Sequence, residues 1–255
     1  MLIRENLFQK IDLEAIAIER LKEFEPSEGY YFANSGGKDS GVVRHLLIKS
    51  GVKFNAHYNW TTVDPPELLR HIKDNHPETA IHRPKITMWE LIPKKLMPPT
   101  RLVRYCCESL KEGGGVGRMV VTGVRWAESY KRSKRKMVET CFKDYSKQYL
   151  NLIIEWTDEE VWNYTRQEGI KYCSLYDEGF KRLGCIGCPM AGVHRLTEFE
   201  RYPKIRQAYL SAFGRMLKVR AERGKPTKWK TPEEVMEWWL GEQQKENTDQ
   251  SIMFE

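Results

Sequence analysis

The hexapeptide Ser35-Gly36-Gly37-Lys38-Asp39-Ser40 follows a short aromatic stretch, residues 30–34, and precedes an apolar stretch, residues 41–48. The first stretch predicts a buried strand and the second predicts a helix, so the hexapeptide is a glycine-rich turn between them. Such a turn directs several backbone N–H groups at one point, where the helix N-terminus adds partial positive charge. The glycines allow close backbone approach, and Lys38 adds a mobile cation. The sequence therefore predicts a phosphate-binding loop.

Two features of this loop narrow its interpretation. It lacks the Gly-x4-Gly-Lys-Ser/Thr spacing of a Walker A loop. An ordinary turn is the simpler alternative, but the complete hexapeptide between both flanking elements favours phosphate binding. The residues leave two interpretations open for Asp39, which could cap the helix or could orient the loop or a Mg²⁺ ion.

Strand and helix patterns alternate through the first two thirds of the chain. This order predicts an α/β fold with a parallel twisted sheet and helices on both faces, in which ligands bind at the carboxyl ends of the strands. We expect residues 1–190 to form the nucleotide-binding domain and residues 191–255 to form a basic helical extension. Further strands are expected at residues 52–60, 119–124 and 152–154. Helices are expected at residues 11–24 and 67–75, after the capping box Thr157–Glu160, and from Thr231 onward. Residues 84–99 are expected to be irregular.

Composition places the chain among soluble globular proteins. Of its 255 residues, 40% are hydrophobic and 30% are charged, and no apolar run is long enough to span a bilayer. The N-terminus has no signal-peptide pattern, so we expect a cytoplasmic protein without a membrane partner. The net charge of +7 favours a polyanionic partner.

Four of the six cysteines form two pairs, Cys106-Cys107 and Cys185-x-x-Cys188. Basic residues flank both pairs and would lower the pKa of the thiols. Two pairs can supply four thiolate ligands to a [4Fe–4S] cluster or to zinc, and the vicinal pair favours iron–sulfur. Buried structural thiols and a redox pair are the alternatives. Cys141 and Cys173 are isolated and are expected to be ordinary side chains.

Together these motifs resemble the phosphoadenosine phosphosulfate (PAPS) reductase family of the PP-loop ATP pyrophosphatases. The hexapeptide matches the SGGxDS signature of that superfamily. The resemblance implies an adenine nucleotide alpha-hydrolase-like fold, four cysteine ligands to a [4Fe–4S] cluster, and a nucleotide site that includes Gly123, Arg125 and Ser129. The motifs that carry it, in chain order, are Ser35–Ser40, Thr61–Glu67, Gly123–Arg125 with Glu128-Ser129, Trp156-Thr157 with Val161-Trp162, Leu175–Asp177 with Gly179, and the two cysteine pairs.

Two departures from the reductases bear on the reaction. Sulfonucleotide reductases use a catalytic cysteine in a C-terminal tail, whereas no cysteine follows Cys188 in this sequence. Their phosphate loop tends to be degenerate, whereas this one is intact and suits ATP. A PP-loop with four cysteines resembles the ATP pyrophosphatases of DNA phosphorothioation, of the Dnd and Ssp type. That resemblance implies ATP to AMP and pyrophosphate chemistry, DNA as acceptor, a cysteine desulfurase as sulfur donor, and other subunits of a modification complex.

Other functions remain open. A tRNA-thiolating sulfurtransferase would differ only in its acceptor. A PAPS or adenylyl-sulfate reductase, and a non-catalytic iron–sulfur nucleotide sensor, are further alternatives. A homodimer is also compatible with the sequence.

In the predicted mechanism, the loop holds ATP while cations neutralise the leaving pyrophosphate. The phosphate-binding residues are Ser35, Gly36, Gly37, Lys38 and Ser40. Asp39 orients the loop or Mg²⁺, and Arg125 stabilises charge on the α-phosphate. Glu128 is expected to pair with Arg125, and Asp64 to form a turn before Pro65.

Two basic segments are candidates for backbone phosphate contacts with nucleic acid. The segment Lys131–Lys136 directly follows the strand of the nucleotide site, which favours phosphate binding. The basic residues after Arg195 are interleaved with Tyr202, Tyr209 and Trp229. For this second group, a solvated helix face over an aromatic core is an equal alternative.

Overall fold

A computed structural model describes residues 2–5 and 9–249, with side-chain positions up to residue 241. The chain divides into two units, of which the first comprises Met1–Asn59, Pro66–His82 and Gly114–Leu183, and the second Trp60–Pro65, Arg83–Gly113 and Gly184–Glu255. This division does not follow a single boundary after residue 190. The segment that carries Cys106 and Cys107 belongs with the C-terminal helices.

The first unit contains the sheet. Its strands are β1 (Ile3–Glu5), β2 (Lys10–Asp12), β3 (Tyr30–Ala33), β4 (Phe54–Asn59), β5 (Thr79–His82), β6 (Met119–Thr122), β7 (Val138–Thr140) and β8 (Gln148–Asn151). Six of these described strands form one sheet in the order β5-β4-β3-β6-β8-β7, and β1 pairs only with β2. All neighbours in the large sheet are parallel except β7, which is antiparallel to β8. The predicted α/β fold with a mainly parallel sheet is confirmed.

The strand order reverses between β3 and β6. From β3 the chain moves to β4 and then β5 on one side, whereas β6 and β8 lie on the other side. Right-handed crossovers on the two sides of such a point pass over opposite faces of the sheet. The loops after β3 and β6 diverge there, which makes the crevice a binding position in open α/β sheets.

The helices are α1 (Leu13–Glu23), α2 (Lys38–Ser50), α3 (Pro66–Asn75), α4 (Met88–Lys95), α5 (Tyr105–Leu110), α6 (Tyr130–Ser133), α7 (Asp158–Gln167), α8 (His194–Arg201), α9 (Pro203–Glu222) and α10 (Pro232–Asp249). In the first unit, the apolar faces of α1, α2 and α7 pack with strand residues in one buried core. That core contains Leu13, Ala17, Leu21, Phe32, Val42, Leu46, Val121, Leu150, Trp156, Val161 and Tyr164. The core fixes the N-terminus of α2, and with it the hexapeptide, over the carboxyl end of β3.

Two expectations about secondary structure were wrong. Residues 84–99 are not irregular, because Thr87 and Glu90 form a reciprocal capping box at the start of α4. Pro93 inside α4 cannot donate to the carbonyl of Trp89, and Arg215 Nη2 donates to that carbonyl instead at 2.9 Å. Residues 152–154 are buried but follow β8, whose ladder ends at Asn151. A continuous apolar run does not distinguish a strand from a buried turn.

The second unit is helical, and its C-terminal helices pack around aromatic rings. The buried rings of Phe199, Tyr209 and Phe213 each contact the ring of Trp239, and Tyr202 is also buried. Tyr202 and Tyr209 therefore belong to a core, as the alternative interpretation of the basic C-terminal segment proposed. In the part of the chain that the structure describes, no helix combines the length and apolarity needed to cross a bilayer.

Candidate functional site

The hexapeptide turns sharply between β3 and α2. Gly36 has φ +71°, and a Cβ there would meet Leu68 Cδ1 at 2.7 Å, so both the conformation and the space require glycine. Gly37 is the N-cap of α2 in an extended conformation. The alternative in which Asp39 caps the helix is therefore wrong. Ser40 Oγ donates to the Gly37 carbonyl at 2.9 Å, and Ser35 Oγ donates to Ser40 Oγ at 3.1 Å.

The first turn of α2 presents backbone donors at the edge of the sheet. The first intrahelical bond in this turn runs from Gly41 N–H to the Gly37 carbonyl at 2.9 Å, so the N–H groups of Lys38, Asp39 and Ser40 have no helical acceptor. The Lys38 N–H donates to the hydroxyl of Tyr176 at 2.9 Å. Burial raises the pKa of this tyrosine, which keeps its hydroxyl neutral. An anion at this position would meet the N–H groups and the positive end of the helix dipole.

Two cations and two carboxylates form one network beside this turn. Lys38 Nζ lies 3.2 Å from Asp39 Oδ2 and 2.8 Å from Asp158 Oδ1. The Arg125 guanidinium donates to Asp39 Oδ1 at 2.6 Å and to Asp158 Oδ1 at 2.9 Å. A third Arg125 bond reaches the Trp156 carbonyl at 3.1 Å. The network therefore joins the ends of β3 and β6 to the start of α7.

The two sides of the network differ in burial. Lys38 and Arg125 are 6% and 2% exposed, whereas the side chain of Asp158 is 64% exposed. Burial acts to raise the pKa of Asp158, but the two cations outweigh it and lower that pKa. Both carboxylates thus hold the buried cations in place. Asp158 was expected only as part of a helix start, and its place in the site was not predicted from the sequence.

The remaining predicted nucleotide residues have structural explanations. A Cβ on Gly123 would lie 3.0 Å from the backbone carbon of Asp39, so this glycine allows β6 to end against α2. Ser129 caps α6 by accepting from Arg132 N–H at 3.4 Å. Glu128 accepts from the Arg125 backbone N–H at 2.9 Å and pairs through its side chain with Arg132, not with the Arg125 guanidinium.

A buried polar group behind the loop was also missed. Asn34 Oδ1 accepts from the Gly36 N–H at 2.9 Å. Asn34 Nδ2 lies 2.9 Å from His76 Nδ1 and donates to Thr79 Oγ1 at 3.0 Å. Burial lowers the pKa of His76 to about 4, so its imidazole is neutral and can accept from Asn34. The Ser-Gly-Gly signal identified the loop, but no local pattern links it to His76.

The cysteine pairs lie in the second unit. Cys106 and Cys107 are on α5, whereas Cys185 and Cys188 are on the loop before α8, and all four are half-buried free thiols. Cys106 donates a hydrogen bond to Cys107, which, together with Arg104 Nη2 at 3.3 Å, lowers the pKa of Cys107. Burial raises the pKa of Cys185 to about 11, against the opposing charge of Lys111 and a hydrogen bond with Thr61.

The loop that carries Cys185 and Cys188 is held through its backbone. Gly187 has φ +71° and a Cβ there would meet the Phe199 ring at 2.5 Å. Its N–H donates to Glu198 at 2.7 Å, and the Ile186 carbonyl accepts from the Tyr209 hydroxyl at 3.1 Å. Cys188 N–H donates to the Cys185 carbonyl at 3.2 Å, which closes the turn. Both sulfurs are therefore fixed to the helical core.

A buried arginine adds positive charge to this unit. Arg195 is 1% exposed, and its Nη1 donates to the Trp239 carbonyl at 2.9 Å while the guanidinium lies over the Trp239 ring. Its Nε and Nη2 have no hydrogen-bond partner among the described residues. Burial lowers the pKa of Arg195 to about 10, against the charges of Tyr209 and Cys188.

The described residues of the second unit do not form a binding site for a single metal ion. Within the described residues, no group of three or more histidine, cysteine, aspartate or glutamate side chains is arranged to hold a metal ion. Asp64 accepts from the Thr61 N–H at 2.7 Å, which confirms its predicted role in a turn. Cys173 is buried, as expected for an isolated thiol.

Part of this chain is similar in sequence to several known proteins. An uncharacterized protein of Methanocaldococcus jannaschii is 29% identical over 189 residues, which are 68% of this chain and 39% of that protein. The adenosine 5′-phosphosulfate reductase of Bacillus thuringiensis is 26% identical over 178 residues, covering 62% of this chain and 72% of the reductase. The chain spans less than half the length of the two archaeal relatives that it matches.

The fold is shared with a solved structure. The phosphoadenylyl-sulfate reductase of Candida auris, solved as a phosphate complex, aligns with a TM-score of 0.51 at 17% identity and covers 69% of this chain and 88% of that chain. Residues 29–191 match the family model of the phosphoadenosine phosphosulfate reductase domain, and this region takes in both the hexapeptide and the cysteine pairs. Because the match extends over well more than half of the sequence, the chain belongs to the phosphoadenosine phosphosulfate reductase family.

Proposed function

We propose that this protein is an ATP pyrophosphatase that adenylates an acceptor for sulfur insertion, with DNA phosphorothioate formation as its role. The observation that carries the proposal is the first turn of α2. There the N–H groups of Asp39 and Ser40, which have no helical acceptor, lie beside the buried cation Lys38. A turn of this kind suits the β- and γ-phosphates of ATP, with Mg²⁺ neutralising the pyrophosphate as it leaves.

The proposed reaction has two displacements. An acceptor oxygen attacks the α-phosphorus of ATP, the bond from that phosphorus to pyrophosphate breaks, and pyrophosphate leaves. A sulfur nucleophile then attacks the adenylated acceptor, and AMP leaves with the original acceptor oxygen. A cysteine desulfurase would supply the sulfur as a persulfide, and a thiol reductant would cleave the remaining sulfur–sulfur bond.

In this proposal, the residues of the chain bind ATP and position the groups that contact it. Lys38 would exchange one carboxylate partner for a phosphate oxygen, since its ammonium is already desolvated and held at the turn. Arg125 is committed to Asp39, Asp158 and a backbone carbonyl, so it acts by fixing the two carboxylates. Asp39 would then be placed to take Mg²⁺ or to orient Lys38. Ser35 and Ser40 stabilise the turn through their mutual bond.

The proposal includes a [4Fe–4S] cluster in the second unit, which Cys106, Cys107, Cys185 and Cys188 would hold. The Nε and Nη2 atoms of buried Arg195 have no hydrogen-bond partner among the described residues, and this supports an anionic group in this unit, because an unsatisfied buried donor is costly. Arg104, whose Nη2 lies 3.3 Å from Cys107 Sγ, would offset part of the negative charge of thiolate ligands. A bound cluster would supply a redox-active iron–sulfur group.

A second candidate is reduction of a sulfonucleotide. It is favoured by the family match and by relatives named adenosine 5′-phosphosulfate reductase. This reaction releases sulfite and AMP from adenylyl sulfate at the expense of a thiol pair. A tRNA acceptor remains a variant of the first proposal.

The proposals can be separated on anaerobically purified protein. ATP would be incubated with Mg²⁺ and with DNA, tRNA or neither, and pyrophosphate and phosphate would be measured separately. We expect pyrophosphate release that is lost in Lys38→Ala and retained in Lys22→Ala, an exposed lysine on α1. Phosphate release instead would contradict the proposal, and sulfite release from adenylyl sulfate with thioredoxin would favour the second candidate.

The cluster has its own readout. Iron, sulfide and zinc per chain would be measured together with the visible absorption spectrum. We expect iron and sulfide to be lost in Cys106→Ser and Cys188→Ser and retained in Cys141→Ser, which removes a half-buried thiol outside the two pairs. Zinc without iron in the wild-type protein would refute the cluster.

A further inference from the structure

An exposed surface of two aromatic rings and three lysines follows β6 in the first unit. We call it the aromatic–lysine surface, and it consists of Trp126, Tyr130, Lys131, Lys134 and Lys136. It begins one residue after Arg125, whose guanidinium bonds Asp39 in the phosphate-binding turn. The surface therefore starts at the edge of the sheet where the nucleotide site lies.

Trp126 is both exposed and held. The residue is 43% exposed, and its Nε1–H donates to the Arg135 carbonyl at 2.8 Å. Its backbone N–H donates to the Ile154 carbonyl at 2.8 Å. Because its only polar side-chain atom is satisfied, the ring is fixed with much of its surface in solvent. Folding leaves this large apolar area unburied, which favours a partner that covers it.

Tyr130 is the second ring of the surface. It is 75% exposed, and Lys134 Nζ lies 4.4 Å from its ring centroid. A cation at that distance attracts the negative face of the ring and orients it. An aromatic ring beside an ammonium group is the combination that binds a nucleotide, with the base stacked on the ring and the phosphate near the cation.

The basic run divides into two classes of side chain. Arg132 and Arg135 are half-buried and pair with Glu128 and Glu139. The lysines at 131, 134 and 136 are exposed, and no carboxylate of the described residues pairs with them. Between Tyr130 and Lys147, seven lysines and arginines accompany only two acidic residues. The exposed charge is thus positive and consists of lysines, which suits contacts with phosphates as point charges.

We propose that the aromatic–lysine surface binds single-stranded DNA and leads it to the nucleotide site. Unpaired bases stack on Trp126 and Tyr130, and backbone phosphates contact the three lysines. The inference rests on the proposed function, because it names the form in which the acceptor is bound. In duplex DNA the base faces are already stacked, so an exposed ring can stack only on an unpaired base.

The choice of DNA over RNA follows from the proposed function, which names DNA as the acceptor. Beside the rings, the Trp126 N–H donates to the Arg135 carbonyl and the Ser129 hydroxyl accepts from the Arg132 N–H. The rings and ammonium groups read stacking and charge, which RNA also offers, so the test compares both nucleic acids.

The test measures fluorescence anisotropy of labelled oligonucleotides of about 12 nucleotides with the full chain. The probes are single-stranded DNA, the same sequence as duplex, and the same sequence as RNA. We expect the single-stranded DNA to bind most tightly. Tyr130→Leu keeps an apolar side chain without a stacking face and should weaken binding about 5- to 50-fold.

Tyr145→Leu is the matched control. Tyr145 is 78% exposed and lies between β7 and β8, at the opposite edge of the sheet from the nucleotide site, so its loss should leave affinity unchanged. Lys134→Gln should reduce the slope of log affinity against log salt by about 0.7. Circular dichroism of each variant checks that the fold is retained.

Three outcomes overturn the inference: equal affinity of Tyr130→Leu and the wild type, equal or tighter binding of the duplex, and tighter binding of RNA. Pyrophosphate release from ATP in the presence of saturating single-stranded DNA is measured on the same samples. If the protein shows no preference for single-stranded DNA but still releases pyrophosphate, only this inference is refuted. Intact stacking-dependent binding without any pyrophosphate release refutes the proposed function and leaves the DNA surface standing.

Discussion

Arg125 donates from Nε to Asp39 Oδ1 across 2.6 Å, although the two residues are 86 positions apart in the sequence. Asp39 is in the first turn of α2 and Arg125 follows β6, so this bond closes the crevice where the strand order reverses. Arg125 is 2% exposed and also bonds Asp158. The arginine thereby sets the positions of both carboxylates that face Lys38.

Replacing this arginine should destabilise the protein. In Arg125→Met, Asp39 and Asp158 share only Lys38 as a cationic partner, and three hydrogen bonds are lost. We expect the free energy of unfolding to fall by roughly 3 kcal/mol, measured by urea denaturation. Arg166→Met is the matched control, because it removes an exposed arginine from α7 and should change stability by less than about 0.5 kcal/mol. Equal stability of the two variants would contradict the role of the network.

Replacing Asp158 should lower the free energy of unfolding less than replacing Arg125 does. The Asp158 side chain is 64% exposed, so solvent screens its pairing with Arg125 and Lys38. We expect Asp158→Asn to lower the free energy of unfolding by about 1 kcal/mol or less. Its effect on pyrophosphate release should be the larger one, because Lys38 loses the partner that holds its ammonium at 2.8 Å. A variant with wild-type activity would show that Asp158 does not position Lys38.

Gly123 should tolerate no side chain. A Cβ would lie 3.0 Å from the backbone carbon and 3.1 Å from the carbonyl oxygen of Asp39, and backbone cannot move aside as a flexible side chain can. We expect Gly123→Ala to lower the free energy of unfolding by about 1–3 kcal/mol and to reduce pyrophosphate release. Gly113→Ala is the control, since a Cβ there meets nothing within 4 Å. Equal effects of both substitutions would refute this packing argument.

Local signals allowed much of the fold to be predicted. The Ser-Gly-Gly turn and the Thr157 capping box each lie within a few residues of sequence and were found, and the alternation of strand and helix patterns predicted the mainly parallel sheet. The helix α4 was missed although its capping box was present, because Pro93 indicated irregular chain. Arg215, which bonds the carbonyl that Pro93 leaves free, is distant in sequence.

Asp158 and His76, the site residues that were not predicted, also have contact partners that are distant in sequence. Asp158 gained its role through Lys38 and Arg125, and His76 gained its role through Asn34, 42 positions away. No fixed sequence spacing predicts these contacts, because they form only where the ends of different strands come together in the fold. Likewise, Arg132 and Arg135 look like phosphate ligands in the sequence, but Glu128 and Glu139 pair with them in the structure.

The loop of the second cysteine pair should depend on Gly187. A Cβ there would lie 2.5 Å from the Phe199 ring, and φ +71° would strain any other residue. We expect Gly187→Ala to lower the iron content per chain, because Cys185 and Cys188 would lose their fixed positions. Gly184→Ala in the same segment is the control, with no atom within 4 Å of its added Cβ. Adding Phe199→Leu to Gly187→Ala should restore part of the iron, and full iron in the single variant would contradict the prediction.

The loop of the nucleotide site should lose support at acid pH through His76. This residue is 3% exposed, and burial, together with the charge of Arg44, lowers its pKa to about 4. Its neutral Nδ1 accepts from Asn34, which in turn accepts from Gly36 N–H. A histidine in the unfolded chain has a pKa near 6.5, so the unfolded state binds more protons as pH falls from about 6.5 to 4. The stabilisation is therefore complete above about pH 6.5 and is lost on acidification.

His76→Gln removes this titration and gives the prediction its test. We expect the free energy of unfolding of the wild type, relative to that of His76→Gln, to fall by about 3 kcal/mol between pH 7 and pH 4, measured by urea denaturation at each pH. His194→Gln, which removes an exposed histidine at the start of α8, is the control for the loss of a histidine outside this network. A difference that is independent of pH for His76→Gln would show that folding does not change the proton affinity of His76, and would remove it from the support of the loop.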